Sequence, residues 1–114
     1  MTLRAKKIFS SQFGSAFRSD ALYFMQKNIK DDSVDLILTS PPFPLLRKKK
    51  YGNEDQENYL DWLCSFFDDF YRILKPTGSL VIDLGGSWIK GQPTRSIYQF
   101  ELVLKACKEF HFHL

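Results

Sequence analysis

A chain of 114 residues is long enough for one small domain with a modest core. Hydrophobic content of 44% with 25% charged residues excludes a disordered tail, and a net charge of +3 is too mild to name a partner by itself. The sequence offers no membrane-length apolar run, no signal peptide and no Cys/His cluster with metal-ligand spacing, so neither a membrane nor a metal is expected.

In chain order, Lys7 to Phe9 and Ser15 to Arg18 read as a short hairpin around Gly14. Ala21 to Ile29 reads as a helix capped by Asp20, with Leu22, Phe24, Met25 and Ile29 on one apolar face. After the turn Asp31-Asp32-Ser33, Val34 to Thr39 is apolar on both sides except at Asp35 and its end, as an interior parallel strand is. A loop follows to Asn53. Near Asn58 a helix is predicted to begin and run to about Leu74, because Tyr59, Trp62, Leu63, Phe66, Phe67, Phe70 and Leu74 recur at steps of three and four. Lys75-Pro76-Thr77-Gly78 is expected to stop it. Ser79 to Leu84 reads as a second interior strand and Gly85 to Thr94 as irregular. Ser96 to Phe110 reads as a helix with Ile97, Phe100, Val103, Leu104 and Cys107 inward, and Phe110 to Leu114 as the start of another strand, where His111 and His113 alternate with Phe. Cys64 and Cys107 fall on apolar helical faces and read as buried free thiols of a reducing compartment.

This alternation is the pattern of a parallel α/β sheet with right-handed crossovers. Ligands of such sheets bind beyond the carboxyl ends of the strands, where both irregular stretches lie. A chain stopping at Leu114, inside an apparent strand, reads as the first part of a longer or truncated protein.

The densest chemistry is Thr39-Ser40-Pro41-Pro42-Phe43, directly after the first interior strand. The two prolines fix φ and carry no N–H, which frees a main-chain carbonyl from ladder duty. The segment can offer a hydroxyl oxygen, that carbonyl and a flat ring to one planar amine. Asp83, at the end of the neighbouring strand, is placed either to orient Ser40 or to cap the following loop. Arg47-Lys48-Lys49-Lys50 is either a phosphate-binding patch or a solvated loop, and Arg95 is a weaker candidate of the same type.

Asp35-Leu36-Ile37-Leu38-Thr39-Ser40-Pro41-Pro42-Phe43 resembles the catalytic motif of amino-group DNA methyltransferases, which use S-adenosylmethionine to methylate an exocyclic base amine. Serine in first place is similar to the cytosine-N4 branch, whereas Asp or Asn is more usual in adenine-N6 enzymes. Ser19-Asp20-Ala21-Leu22, Arg47-Lys48-Lys49-Lys50-Tyr51-Gly52-Asn53, Leu74-Lys75-Pro76-Thr77-Gly78-Ser79 and Asp83-Leu84-Gly85-Gly86 also resemble segments of the permuted members, above all the Pvu-type branch of restriction–modification systems.

The resemblance implies a Rossmann-like methyltransferase fold with a mostly parallel sheet, incomplete here, and residues 1–114 as the N-terminal, catalytic-motif part of a DNA methylase domain. It implies catalytic roles for Ser40, Pro41, Pro42, Phe43 and Asp83, a cofactor contact for Asp20, and DNA contacts for Arg47, Lys48, Lys49, Lys50 and Arg95. The implied partners are double-stranded DNA with a flipped base and either a second chain or a missing C-terminal part. The implied setting is a prokaryotic or phage-type cytoplasm. Two departures count. The family's Phe-x-Gly-x-Gly segment is not in the sequence, and Asp83-Leu84-Gly85-Gly86-Ser87 is set aside as a substitute because the Leu-Lys-Pro-x-Gly turn before it marks a later strand. The target-recognition region is also missing. The expectation is therefore transfer of methyl to cytosine N4 with most of the cofactor pocket outside this chain. The alternatives are adenine-N6 transfer, or a truncated or split α/β subunit inactive by itself.

Overall fold

The computed structural model describes residues 4–42 and 58–114. Strands β1 (Lys6–Ser10) and β2 (Ser15–Arg18) form an antiparallel hairpin, followed by α1 (Ala21–Asn28), β3 (Val34–Thr39), α2 (Tyr59–Cys64), α3 (Phe67–Ile73), β4 (Leu74–Ile82) and α4 (Tyr98–Lys108). β3 and β4 pair in parallel, from Val34 opposite Leu74 to Thr39 opposite Ile82. The fold is that of a parallel α/β domain with an N-terminal hairpin.

One aromatic-rich core holds the helices against the sheet. Met25, Tyr59, Leu63, Phe67, Phe70, Ile73, Tyr98 and Leu102 are buried, and Ile37, Leu80 and Ile82 pack on them from one face of the sheet. Phe67 is its centre at 1% exposure, with the rings of Phe70, Phe110 and Phe112 within 5.3 to 5.9 Å. Each fully buried side chain of this size contributes about 1.5–3 kcal/mol of transfer free energy. Arg72 ties α1 to α3. Its guanidinium donates to the carbonyls of Met25 and Ile29 at 2.8 and 3.1 Å and pairs with Asp31 at 2.7 Å. The Asp31 hydrogen bond and charge raise the guanidinium's pKa, so it stays a cation at the turn that launches β3.

Six sequence expectations are corrected. The helix foreseen from Asn58 to Leu74 is two helices, α2 and α3. Ser65 Oγ donates to the Trp62 carbonyl at 2.5 Å and Phe66 N–H reaches back only to Leu63, so the ladder tightens there while the apolar face continues. Lys75-Pro76-Thr77-Gly78 does end the helix, but as a bulge inside β4 rather than a turn before it: the single β3 residue between Val34 and Leu36 is matched by the four β4 residues between Leu74 and Ser79. A Cβ on Gly78 would sit 2.9 Å from both the Val34 carbonyl and Leu74 Cδ2, so the bulge closes only around glycine.

In α4 the buried residues are Tyr98 and Leu102. Ile97, Phe100, Val103 and Leu104 are exposed, and Cys107 is half-buried, as is Cys64. Tyr98 sets that rotation, because its ring packs edge-on to Tyr59 at 5.5 Å while its hydroxyl donates to the Gly85 carbonyl. Phe110 to Leu114 is not a strand. His111 takes φ of 65°, and Phe110 and Phe112 turn back onto Phe67 with no strand beside them among the described residues. Finally, among the described residues β3 is not covered on both faces: Leu36, Leu38 and Val81 share the face opposite the core and are 54%, 68% and 46% exposed.

Candidate active site at the carboxyl edge of the sheet

Parallel pairing brings the ends of β3 and β4 side by side. Thr39 lies opposite Ile82, and the Asp83 N–H donates to the Thr39 carbonyl at 2.9 Å, which extends the ladder by one step. The next side chains then meet: Ser40 Oγ donates to Asp83 Oδ2 at 3.3 Å, and both residues are exposed. Because the serine hydrogen is directed at a carboxylate, both lone pairs of its oxygen remain available as acceptors. Pro41 and Pro42 follow, half-buried, and hold the main chain at this corner with no N–H of their own. Phe43 and the cations Arg47, Lys48, Lys49 and Lys50 lie outside the described residues.

The stretch after Asp83 is more ordered than its sequence suggests. Trp88 and Arg95 form an antiparallel bridge, Ile89 N–H donates to Thr94 at 2.8 Å and Ser96 N–H to Ser87 at 2.7 Å. The Arg95 guanidinium stacks 4.8 Å above the Trp88 ring and lies against Gly86, where a Cβ would come within 3.1 Å of its Nη1. Arg95 is thus held by an aromatic ring beside Gly86, three residues after Asp83. Tyr98, absent from the sequence-based site, anchors the same stretch through the Gly85 carbonyl. The signal for both was a tryptophan and an arginine flanking a glycine-containing loop, with a tyrosine opening the next helix.

Asp20 stands apart from this corner in the hydrogen-bond network. Its Oδ1 accepts the Tyr23 N–H at 2.9 Å and caps α1, so one carboxylate oxygen is engaged by the helix. Between β4 and α4 runs an open groove of about 1010 Å³, lined by Leu80, Ile82, Leu102, Cys107 and Phe112, with Asp83 also on its wall. Among the described residues no group of three or more His, Cys, Asp or Glu could hold a metal, and no helix is long and apolar enough to cross a membrane.

Comparison with known proteins gives this geometry its family. A family model described as DNA methylase, of the N6/N4 type, matches residues 34–114. The Type II methyltransferase M.PvuII of Proteus hauseri is 42% identical over 109 residues, covering 96% of this chain and 32% of that protein. M.BamHI of Bacillus amyloliquefaciens is 36% identical over 80 residues, 68% of this chain and 19% of that protein. A solved structure titled PvuII DNA methyltransferase (cytosine-N4-specific) superposes with a TM-score of 0.70 at 44% identity, over 83% of this chain and 33% of that one. The chain spans about a third of the length of M.PvuII. With its Ser-Pro-Pro corner at the end of a parallel strand, the chain belongs to the N6/N4 DNA methylase family.

Proposed function

We propose that this chain carries the amine-gripping part of a DNA methyltransferase that transfers methyl from S-adenosylmethionine to N4 of a flipped cytosine. The observation that carries the reading is the Ser40–Asp83 hydrogen bond. A cytosine amine is a poor nucleophile because its lone pair is delocalised into the ring. Two acceptors placed out of the ring plane draw its hydrogens away and push the nitrogen towards tetrahedral geometry. Ser40 Oγ, its own hydrogen committed to Asp83, accepts one of them, and the Pro41 carbonyl accepts the other. Phe43 stacks on the base once it has left the duplex. When the amine is alkylated it must lose a proton, and the Ser40–Asp83 pair is the adjacent acceptor. The remaining gain is orientation, with the lone pair held in line with the incoming carbon.

The cofactor, when bound, supplies the electrophilic methyl group. Of the described residues only Asp20 is assigned to it, through the carboxylate oxygen that α1 does not use. One exposed carboxylate is not a pocket, so the residues present do not by themselves fit S-adenosylmethionine. Most of its site is assigned to polypeptide outside this chain, as the coverage of one third of M.PvuII supports. The same coverage, and a parallel sheet with one bare face, favour the second reading: a catalytic part that works only with a complementing segment or second chain. Arg47, Lys48, Lys49, Lys50 and Arg95 are assigned to phosphates of the double-stranded DNA partner, where they position without reading bases. The setting proposed is the cytoplasm of a prokaryote or its phage.

Nucleoside analysis tests the reading. Duplex DNA is incubated with labelled S-adenosylmethionine and this chain, alone and together with a polypeptide carrying the Phe-x-Gly-x-Gly segment. N4-methylcytosine formed only with the complement is expected. N6-methyladenine instead would move the assignment to the adenine branch, and no product in either case would overturn it.

A further inference from the structure

The N-terminal hairpin is the most basic stretch of the described chain: residues 4–18 hold Arg4, Lys6, Lys7 and Arg18 and no carboxylate. Its two faces differ. Phe17 leans on Phe24 of α1 at 4.7 Å with Lys7 over its ring at 5.6 Å, so that face is turned to the body of the protein. The register sets Lys6 directly opposite Arg18 and Phe9 opposite Ala16, and these four share the other face. Lys6, Phe9 and Arg18 are exposed, and Phe13 at the turn is 92% exposed. Like charges directly opposite on paired strands repel, and none of the ion pairs among the described residues reaches the hairpin. A cross-strand pair of cations that none of these ion pairs neutralises is relieved by a bound polyanion.

We propose that the outer face of the β1–β2 hairpin is a second DNA-contacting element, with Lys6 and Arg18 jointly neutralising backbone phosphates. It rests on the reading of the chain as a DNA methyltransferase part, but it uses none of the residues assigned to that site. A two-stranded ribbon is narrow enough to lie along a groove of the duplex. The contacts are to phosphates, so they add affinity and salt dependence without sequence preference.

Anisotropy of a labelled duplex, titrated with the full chain at several salt concentrations, tests this. Lys6→Ala/Arg18→Ala is expected to reduce the log K against log salt slope by about 1.8, equally on duplexes of different sequence. Lys6→Arg/Arg18→Lys is expected to restore the slope. The alanine variant should melt no lower than the parent, because it removes a repulsive pair, so its weaker binding is not a loss of fold. A parent that binds with a salt dependence the alanine variant shares would overturn the hairpin's role and leave the DNA reading standing. A parent with no salt-dependent duplex binding, alone or together with the complementing polypeptide, would overturn both.

Discussion

The two faces of the β3–β4 sheet differ sharply. On one, Ile37, Leu80 and Ile82 pack on an aromatic core built from α1, α2, α3 and α4, with a groove left open between β4 and α4. On the other, Leu36, Leu38 and Val81 are exposed, although the sequence is as apolar there as on the covered side. Parallel sheets are ordinarily covered on both faces. The folding information for one side of the sheet is therefore within the chain, and the other side awaits a layer that the described residues do not provide. The candidate site sits on the rim between the two.

The contrast can be broken at its strongest point by Phe67→Ala, which should cost about 4 kcal/mol of stability through a cavity at the centre of the core, read by urea denaturation. A loss under 1 kcal/mol would mean that the core is not one packed unit. Ser40→Ala acts on the rim. In the complete enzyme it should lower turnover about 100-fold while leaving cofactor affinity and stability unchanged, and equal losses in turnover and cofactor binding would make Ser40 structural.

Alkaline pH probes the covered side more gently. Burial pushes the hydroxyls of Tyr59 and Tyr98 above the ordinary tyrosine value of 10.0, and for Tyr59 the neighbouring Tyr98 adds to the rise. Above that pH the unfolded chain gives up these protons before the folded one does. The stabilisation they report is thus complete below pH 10.0 and is lost as pH climbs towards the folded-state values. Denaturation midpoints should hold steady up to that point and then fall. Tyr59→Phe should flatten the fall without lowering stability near neutrality, since the Tyr59 hydroxyl is buried with no hydrogen-bond partner among the described residues. The smallest effect is expected on the bare face, where Leu38→Ser should change stability by less than about 0.5 kcal/mol. A large loss there would show that the face is already covered.

The hairpin, α1 with its Asp20 cap, β3 and the meeting of Ser40 with Asp83 were all legible in the sequence. They depend on local periodicity, or on motifs lying at strand ends that parallel pairing must bring together. What was not legible depends on partners distant in sequence. The stripes Ile97-Phe100-Leu104 and Tyr98-Leu102-Ala106 both suit a helical face, and the one that turns inward is chosen by a Tyr98 hydroxyl bond to a loop carbonyl. Nothing in the spacing of the apolar residues marks Ser65, whose back-bond to the Trp62 carbonyl interrupts the ladder. Arg72 joins α3 to α1 and the turn after it, partly through carbonyls that carry no sequence signature.

The extra residues that β4 accommodates between Leu74 and Ser79 act as an indexing device. Side chains alternate along a strand, so a slip of one position would exchange the Leu80 and Ile82 row for the Val81 row and swing the carboxylate at position 83 away from its hydroxyl neighbour. Deleting Thr77 would accordingly damage the packing and the chemistry at one stroke, although the residue touches neither. The length of that small irregularity is as much a part of the candidate corner as the serine itself.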